Sequence, residues 1–103
     1  MSRLNPKDRK QQILAAAVAV ATEQRTLNVT RLDVSIRAGV SEALVSRYFN
    51  TMHQLRRSMV RYAVHEANVP ITALAVMSSA YKVDISPELK DRVSAHLQSQ
   101  MGG

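Results

Sequence analysis

Arg47, Ser46, Leu44, Ala43 and Glu42 fall on one short stretch whose chemistry suits contact with base pairs rather than catalysis. An arginine can make a bidentate contact with guanine O6 and N7, and a serine can reach several bases. Ala43 and Leu44 can meet a thymine methyl, and Glu42 can accept from a cytosine amino group. As an anion near phosphates, Glu42 can equally exclude wrong sites. Catalysis has no comparable set here. There is no carboxylate pair, nucleophile elbow or phosphate-cradling glycine loop, so an enzyme is not expected. The chain has no cysteine, and His53, His65 and His96 lack metal-ligand spacing. Neither a metal nor a cofactor is expected.

Such side chains act together only if two short helices cross at a fixed angle and present the second one outward. The residues from Thr30 to Phe49 meet that need. Thr30-Arg31-Leu32-Asp33 is a capping-box variant, with Thr30 as cap and Asp33 three residues later. Ala38-Gly39-Val40 ends the helix it opens, because glycine takes the left-handed conformation without strain. Ser41 then caps a second short helix that runs to about Phe49. Val34, Ala38, Val40 and Val45 are the inward apolar positions. Ser35 is the small residue at the crossing, and Tyr48 is a further partly buried one. The outward residues of the second helix begin at Ser41. The amide ends of the helices capped by Thr30 and Ser41 can hold backbone phosphates, with Arg31 placed to help. Tyr48 and Thr51 complete the candidate DNA contacts.

Other helices must support this pair. Asn5-Pro6-Lys7-Asp8 is a helix start, with Asn5 as cap and Pro6 at the first helical position. That helix is predicted to reach about Gln24, with Ile13, Leu14, Ala17, Val20 and Ala21 at helical spacing. Its small apolar middle, Ala15 to Ala19, predicts packing on more than one side. Asn50 or Thr51 caps a fourth helix with the stripe Leu55, Met59, Tyr62 and Ala63. Arg56, Arg57 and Arg61 fall largely off that stripe, facing either DNA backbone or solvent. Pro70 opens a fifth helix with Ile71, Leu74, Ala75, Ser78 and Tyr81 on one face. Ser86-Pro87-Glu88 starts a sixth with Leu89, Val93, Leu97 and Met101. The end, Met101-Gly102-Gly103, is expected to fray.

The charge pattern agrees with a polyanion partner. The formal charge is +6 over 103 residues. Residues 1–62 hold eleven Lys/Arg against four Asp/Glu, and residues 63–103 hold three against four. Ten of the fourteen cationic residues are arginine, the better bidentate partner for phosphate and guanine. No run approaches the ~20 apolar residues of a membrane span, and no signal-peptide pattern opens the chain. With no cysteine, a reducing cytoplasm is the expected location.

The stretch from Ile13 to Tyr62 resembles the DNA-binding domain of TetR-family repressors. Ile13-Leu14 followed by Ala16-Ala17 is similar to that family's first-helix signature. Asp33-Val34-Ser35 stands where Asp-Ile-Ala is usual, Ala38-Gly39-Val40-Ser41 matches outright, and Tyr48-Phe49 and Leu55 fall at family positions. There are departures. Arg25 replaces a glycine at the end of the first helix, Ala43-Leu44 replaces Gly-Thr, Ser46 replaces a tyrosine, and Met52 replaces a phosphate-gripping lysine. The resemblance implies an all-α fold of about six helices, with a homeodomain-like three-helix unit and further C-terminal helices. Because the chain stops at 103 residues, the family's ligand-binding domain, small-molecule effector and ligand-induced release are not expected.

These readings divide the chain into a DNA-binding part, residues 1–66, and C-terminal helices, residues 67–103. A single helix-turn-helix binds weakly unless doubled. Ile71, Leu74, Met77, Leu89, Val93 and Leu97 are therefore the expected homodimer interface, the alternative being that these helices complete a monomeric core. The expected function is transcriptional regulation, as a repressor on a palindromic double-stranded DNA site, in the manner of compact phage or plasmid regulators. A DNA-binding accessory protein for replication, partition or packaging, and a protein-binding module such as an anti-activator, are the alternatives.

Overall fold

The structure is a computed structural model and describes residues 5–101. Among them the regular structure is all α-helical, in six helices: α1 Pro6–Gln24, α2 Arg31–Ala38, α3 Glu42–Tyr48, α4 Met52–His65, α5 Val69–Met77 and α6 Pro87–Met101. The chain divides into two compact units, Met1–Met59 and Val60–Gly103, with the boundary inside α4. Gly102 and Gly103, expected to fray, lie outside the described residues.

Polar caps set the helix starts. The Asn5 side chain accepts from the Asp8 N–H at 2.8 Å, Thr30 Oγ1 from Asp33 at 3.1 Å, and Ser41 Oγ from Leu44 at 3.0 Å. Thr51, not Asn50, caps α4, accepting from the Gln54 N–H at 3.1 Å. Each bond satisfies an amide that the first helical turn leaves without a partner. Asn68 and Ser86 do the same for α5 and α6.

Left-handed residues set three of the ends. Arg25 (φ 55°), Gly39 (φ 70°) and Ala67 (φ 53°) follow α1, α2 and α4. The next N–H in each case reaches back five residues: Thr26 to Ala21 O at 3.2 Å, Val40 to Ser35 O at 3.0 Å, Asn68 to Ala63 O at 2.8 Å. This is the Schellman cap. A Cβ built on Gly39 would meet nothing within 4 Å, so glycine serves the backbone there and not the space. Arg25 takes the same conformation at a cost of ~1–2 kcal/mol for an L-residue, of which glycine's extra unfolded entropy returns ~0.5–1 kcal/mol. Arg25→Gly is therefore expected to stabilise the chain by roughly 0.5–1 kcal/mol. The check is a higher urea midpoint at unchanged slope; a lower midpoint would contradict the argument.

In the first unit α1 packs on α2, and α2 on α3. Ile13, Leu14, Ala16, Ala17, Val20 and Ala21 of α1 are buried, a face of about half the helix circumference at 3.6 residues per turn. Val34, Val45 and Leu55 are fully buried, as are Val29 and Met59. In the second unit α5 packs on α6. Ala73, Leu89 and Val93 form a buried cluster with Val64, Val69, Ile85 and Leu97 against it.

Two expectations fail in this second unit. α5 stops at Met77, so Ser78 and Tyr81 do not continue its face. Ser78 leaves the helix in an extended conformation, and its hydroxyl accepts from the Ala80 N–H at 3.3 Å, a local turn that competes with helix. Met101, placed on the stripe of α6, is 86% exposed at the helix end. One buried polar group also stands out. Thr72 is fully buried, and its Oγ1 has no hydrogen-bond partner. An unsatisfied buried hydroxyl costs ~1–3 kcal/mol. Thr72→Val, which keeps the shape, is expected to raise stability by about 1 kcal/mol; thermal denaturation checks it, and a lowered Tm would show that the hydroxyl is satisfied after all.

Candidate nucleic-acid interface

The tight connection of α2 to α3 follows from the short segment between two caps. α2 ends at Ala38, Gly39 turns the chain, and Ser41 starts α3. Val34, Ser35 and Val45 are buried between these elements and their surroundings, while Ala38, Val40 and Tyr48 are half-buried. Ser35 Oγ donates back to Leu32 O at 2.7 Å, which lets a polar residue occupy the crossing.

This packing sorts the side chains of α3 into two arcs. Glu42, Ser46, Ala43 and Arg47 share an arc of about 140° at 3.6 residues per turn. Glu42, Ala43 and Arg47 are exposed, and Ser46 is half-buried. Leu44 and Tyr48, one turn apart, lie on the flank beside buried Val45 and are half-buried. Leu44, expected to face outward, is thus drawn toward the packed side. The outer arc of α3 is narrower than the sequence suggested.

The phosphate-facing candidates sit at helix starts. Thr30, Ser41 and Thr51 are exposed caps of α2, α3 and α4. Each hydroxyl uses an acceptor site on its own helix and keeps its proton free to donate to a phosphate oxygen. Arg31, the first residue of α2, is half-buried, and its Nε is shielded without a partner.

The sequence did not reveal how α2 is held. Gln12 Nε2 donates to Ala38 O at 3.2 Å, and Gln12 Oε1 accepts from Arg9 Nη1 at 2.8 Å. Asp33, the second residue of the capping-box variant, does not close the box; its carboxylate accepts from Gln24 Nε2 at 2.9 Å. Arg37 pairs with Glu23. The hydrogen bond to Glu23, then its charge, raises the Arg37 pKa above the ordinary arginine value. Both groups are exposed, so the pair adds little stability, but it removes Arg37 from the free positive surface. Arg56 is also withdrawn: it is half-buried, and its Nη2 donates to Val29 O at 3.1 Å, whereas Arg57 and Arg61 are exposed. Lys10 Nζ lies 5.4 Å from the centre of the Phe49 ring, a cation–π contact. Among the described residues Arg37–Glu23 is the only ion pair, which leaves Arg47 an exposed cation with no carboxylate partner.

The expected dimer residues divide unevenly. Ile71, Leu89 and Val93 are buried within the chain, the last two in the α5–α6 cluster, so they have no surface to offer a second copy. Leu74 and Leu97 are half-buried, and Met77 is 70% exposed. Val76, beside Met77, is exposed as well.

Among the described residues no three His, Asp or Glu side chains gather as a metal site, and no helix is long and apolar enough to cross a membrane. No family model matches the chain, and neither a curated protein nor a solved structure matches it at a significant level.

Proposed function

We propose that this protein is a sequence-specific DNA-binding regulator of transcription, acting as a repressor, which sets α3 into the major groove. One observation carries the reading: a seven-residue helix packed on α2 through buried Val45 places Glu42, Ala43, half-buried Ser46 and unpaired Arg47 on its outer arc. In the groove, Arg47 takes guanine, Ser46 an adjacent base edge, and Ala43 a thymine methyl. Thr30, Arg31, Ser41 and Thr51 take the flanking phosphates and fix the register. The TetR resemblance belongs to this reading. In its favour, Arg25 adopts a left-handed conformation at the place where that family carries glycine.

A homodimer doubles the head on a palindromic site, with half-sites about 34 Å apart. The surface left for it in the second unit is Leu74, Val76, Met77 and Leu97. Light scattering after gel filtration tests this; a mass near the 11.4 kDa of one chain at micromolar concentration rules the dimer out in free solution.

A salt-dependent gel shift on DNA from the protein's own locus tests the function. Saturable binding that weakens steeply with salt is the expected result. A second reading, a helix-turn-helix used to bind another protein, draws on Leu32 and Ile36, 52% and 68% exposed one turn apart on α2. The absence of any shift at low salt would remove the DNA reading and favour the second.

A further inference from the structure

α2 is tied at both ends by side chains from other helices. At its last residue, the Ala38 carbonyl accepts from Gln12 of α1. Just before its first turn, the Val29 carbonyl accepts from Arg56 of α4. The first bond is an ordinary solution, since the last carbonyls of a helix have no partner within it. The second is not. A guanidinium is half-buried to serve one neutral carbonyl, its Nε is shielded without a partner, and no carboxylate among the described residues pairs with it. Removing a charge from water is costly, and a single neutral acceptor does not offset that cost. An apolar side chain of similar length would avoid that cost but would leave the carbonyl of fully buried Val29 without its donor. The two penalties oppose each other, so stability alone gives no strong reason for arginine at this position.

What Arg56 fixes gives one. Val29 is fully buried and directly precedes Thr30, the cap of α2, and Arg31, its first residue. These two are the candidate phosphate contacts at that end of the interface. We infer that Arg56 is a positioning residue for DNA binding: it holds the Val29 carbonyl so that the Thr30 hydroxyl and the Arg31 guanidinium meet the backbone in register, without touching DNA itself. This rests on the DNA-binding reading above. A rigid support behind a contact residue matters because small displacements of a bound group cost disproportionate affinity.

The test uses the full chain and duplex DNA from its own locus, with affinity measured over a range of salt. Arg56→Met is expected to remain folded, with a urea midpoint close to the wild type, because relief of the charge's desolvation offsets the carbonyl left without a donor. It should bind about 10-fold more weakly on specific and unrelated duplexes alike, a loss of ~1.4 kcal/mol. The slope of log K against log salt should stay within ~0.5 of the wild type, whereas Arg31→Ala should flatten it by about 1. Arg56→Lys keeps a donor that can reach Val29 O and should bind within ~3-fold of the wild type. Its comparison with the wild type stands even if Arg56→Met does not fold. Unchanged affinity in Arg56→Met would overturn the inference. So would a slope flattened as in Arg31→Ala, because Arg56 would then contact phosphate itself, or a loss in Arg56→Lys as large as in Arg56→Met. Failure of the wild type to bind any duplex would instead sink the DNA reading, so the two failures are distinguishable.

Discussion

Arg47→Ala is expected to lower affinity for the specific site by roughly 5- to 150-fold, the ~1–3 kcal/mol of a bidentate guanine contact, and to relax preference at one base pair. Unrelated DNA should be bound almost as well as before. The reason lies in where the side chain stands: exposed on the outer arc of α3, with no carboxylate to neutralise it and no packing role to lose. Arg31→Ala should behave differently. It should weaken binding to all sequences alike and reduce the salt slope by about 1, because a phosphate contact carries no sequence information. Competition binding against a set of single-base variants separates the two. Equal, uniform losses from both substitutions would refute the groove assignment of α3.

Leu55→Ala should give the largest loss of stability, about 2–5 kcal/mol, with Tm falling by roughly 8 °C or more. Leu55 is fully buried in the first half of α4, among the largest side chains without exposed surface. Truncation removes its transfer energy and leaves a cavity that a close-packed interior fills only in part. For a domain with a total stability of ~5–15 kcal/mol this is a large fraction. Ile36→Ala supplies the contrast. Ile36 is a large aliphatic residue on a helix but 68% exposed, and its truncation should stay within ~0.5 kcal/mol. Thermal unfolding followed by circular dichroism reads both. Similar losses from the two would contradict the burial assigned here.

The helices and their caps were legible because their signals are local. A cap needs an oxygen-bearing side chain three residues before the amide it accepts, and Asn5, Thr30, Ser41 and Ser86 stand at that spacing. Gly39, Val34, Ser35 and Val45 could be assigned together because a helix-turn-helix constrains them jointly. Arg25 and Ala67 show the limit of that logic: neither residue type announces a left-handed cap, and only the surrounding fold imposes it. Long-range bonds leave no sequence pattern. Gln12 meets Ala38 across 26 positions and Arg56 meets Val29 across 27, so neither could be read from neighbours. The C-terminal helices left two readings open in the sequence, a dimer interface or a core within the chain, for a related reason. An amphipathic stripe such as Leu89 and Val93 reads the same whether it meets a second copy or another helix of its own chain, and here α5 covers it. On the candidate site, spacing found the outer arc of α3 but not the turn of Leu44 toward the Tyr48 flank.

The most direct test of DNA recognition by α3 is an NMR titration of isotope-labelled protein with duplex DNA from its own locus. The expected result is saturable shifts, reversed by salt, at the amides of Thr30, Arg31, Ser41 to Arg47 and Thr51, with Leu89 and Val93 unmoved. Shifts confined to the surroundings of Leu32 and Ile36 or of Val76 and Met77, or none at low salt, would contradict it.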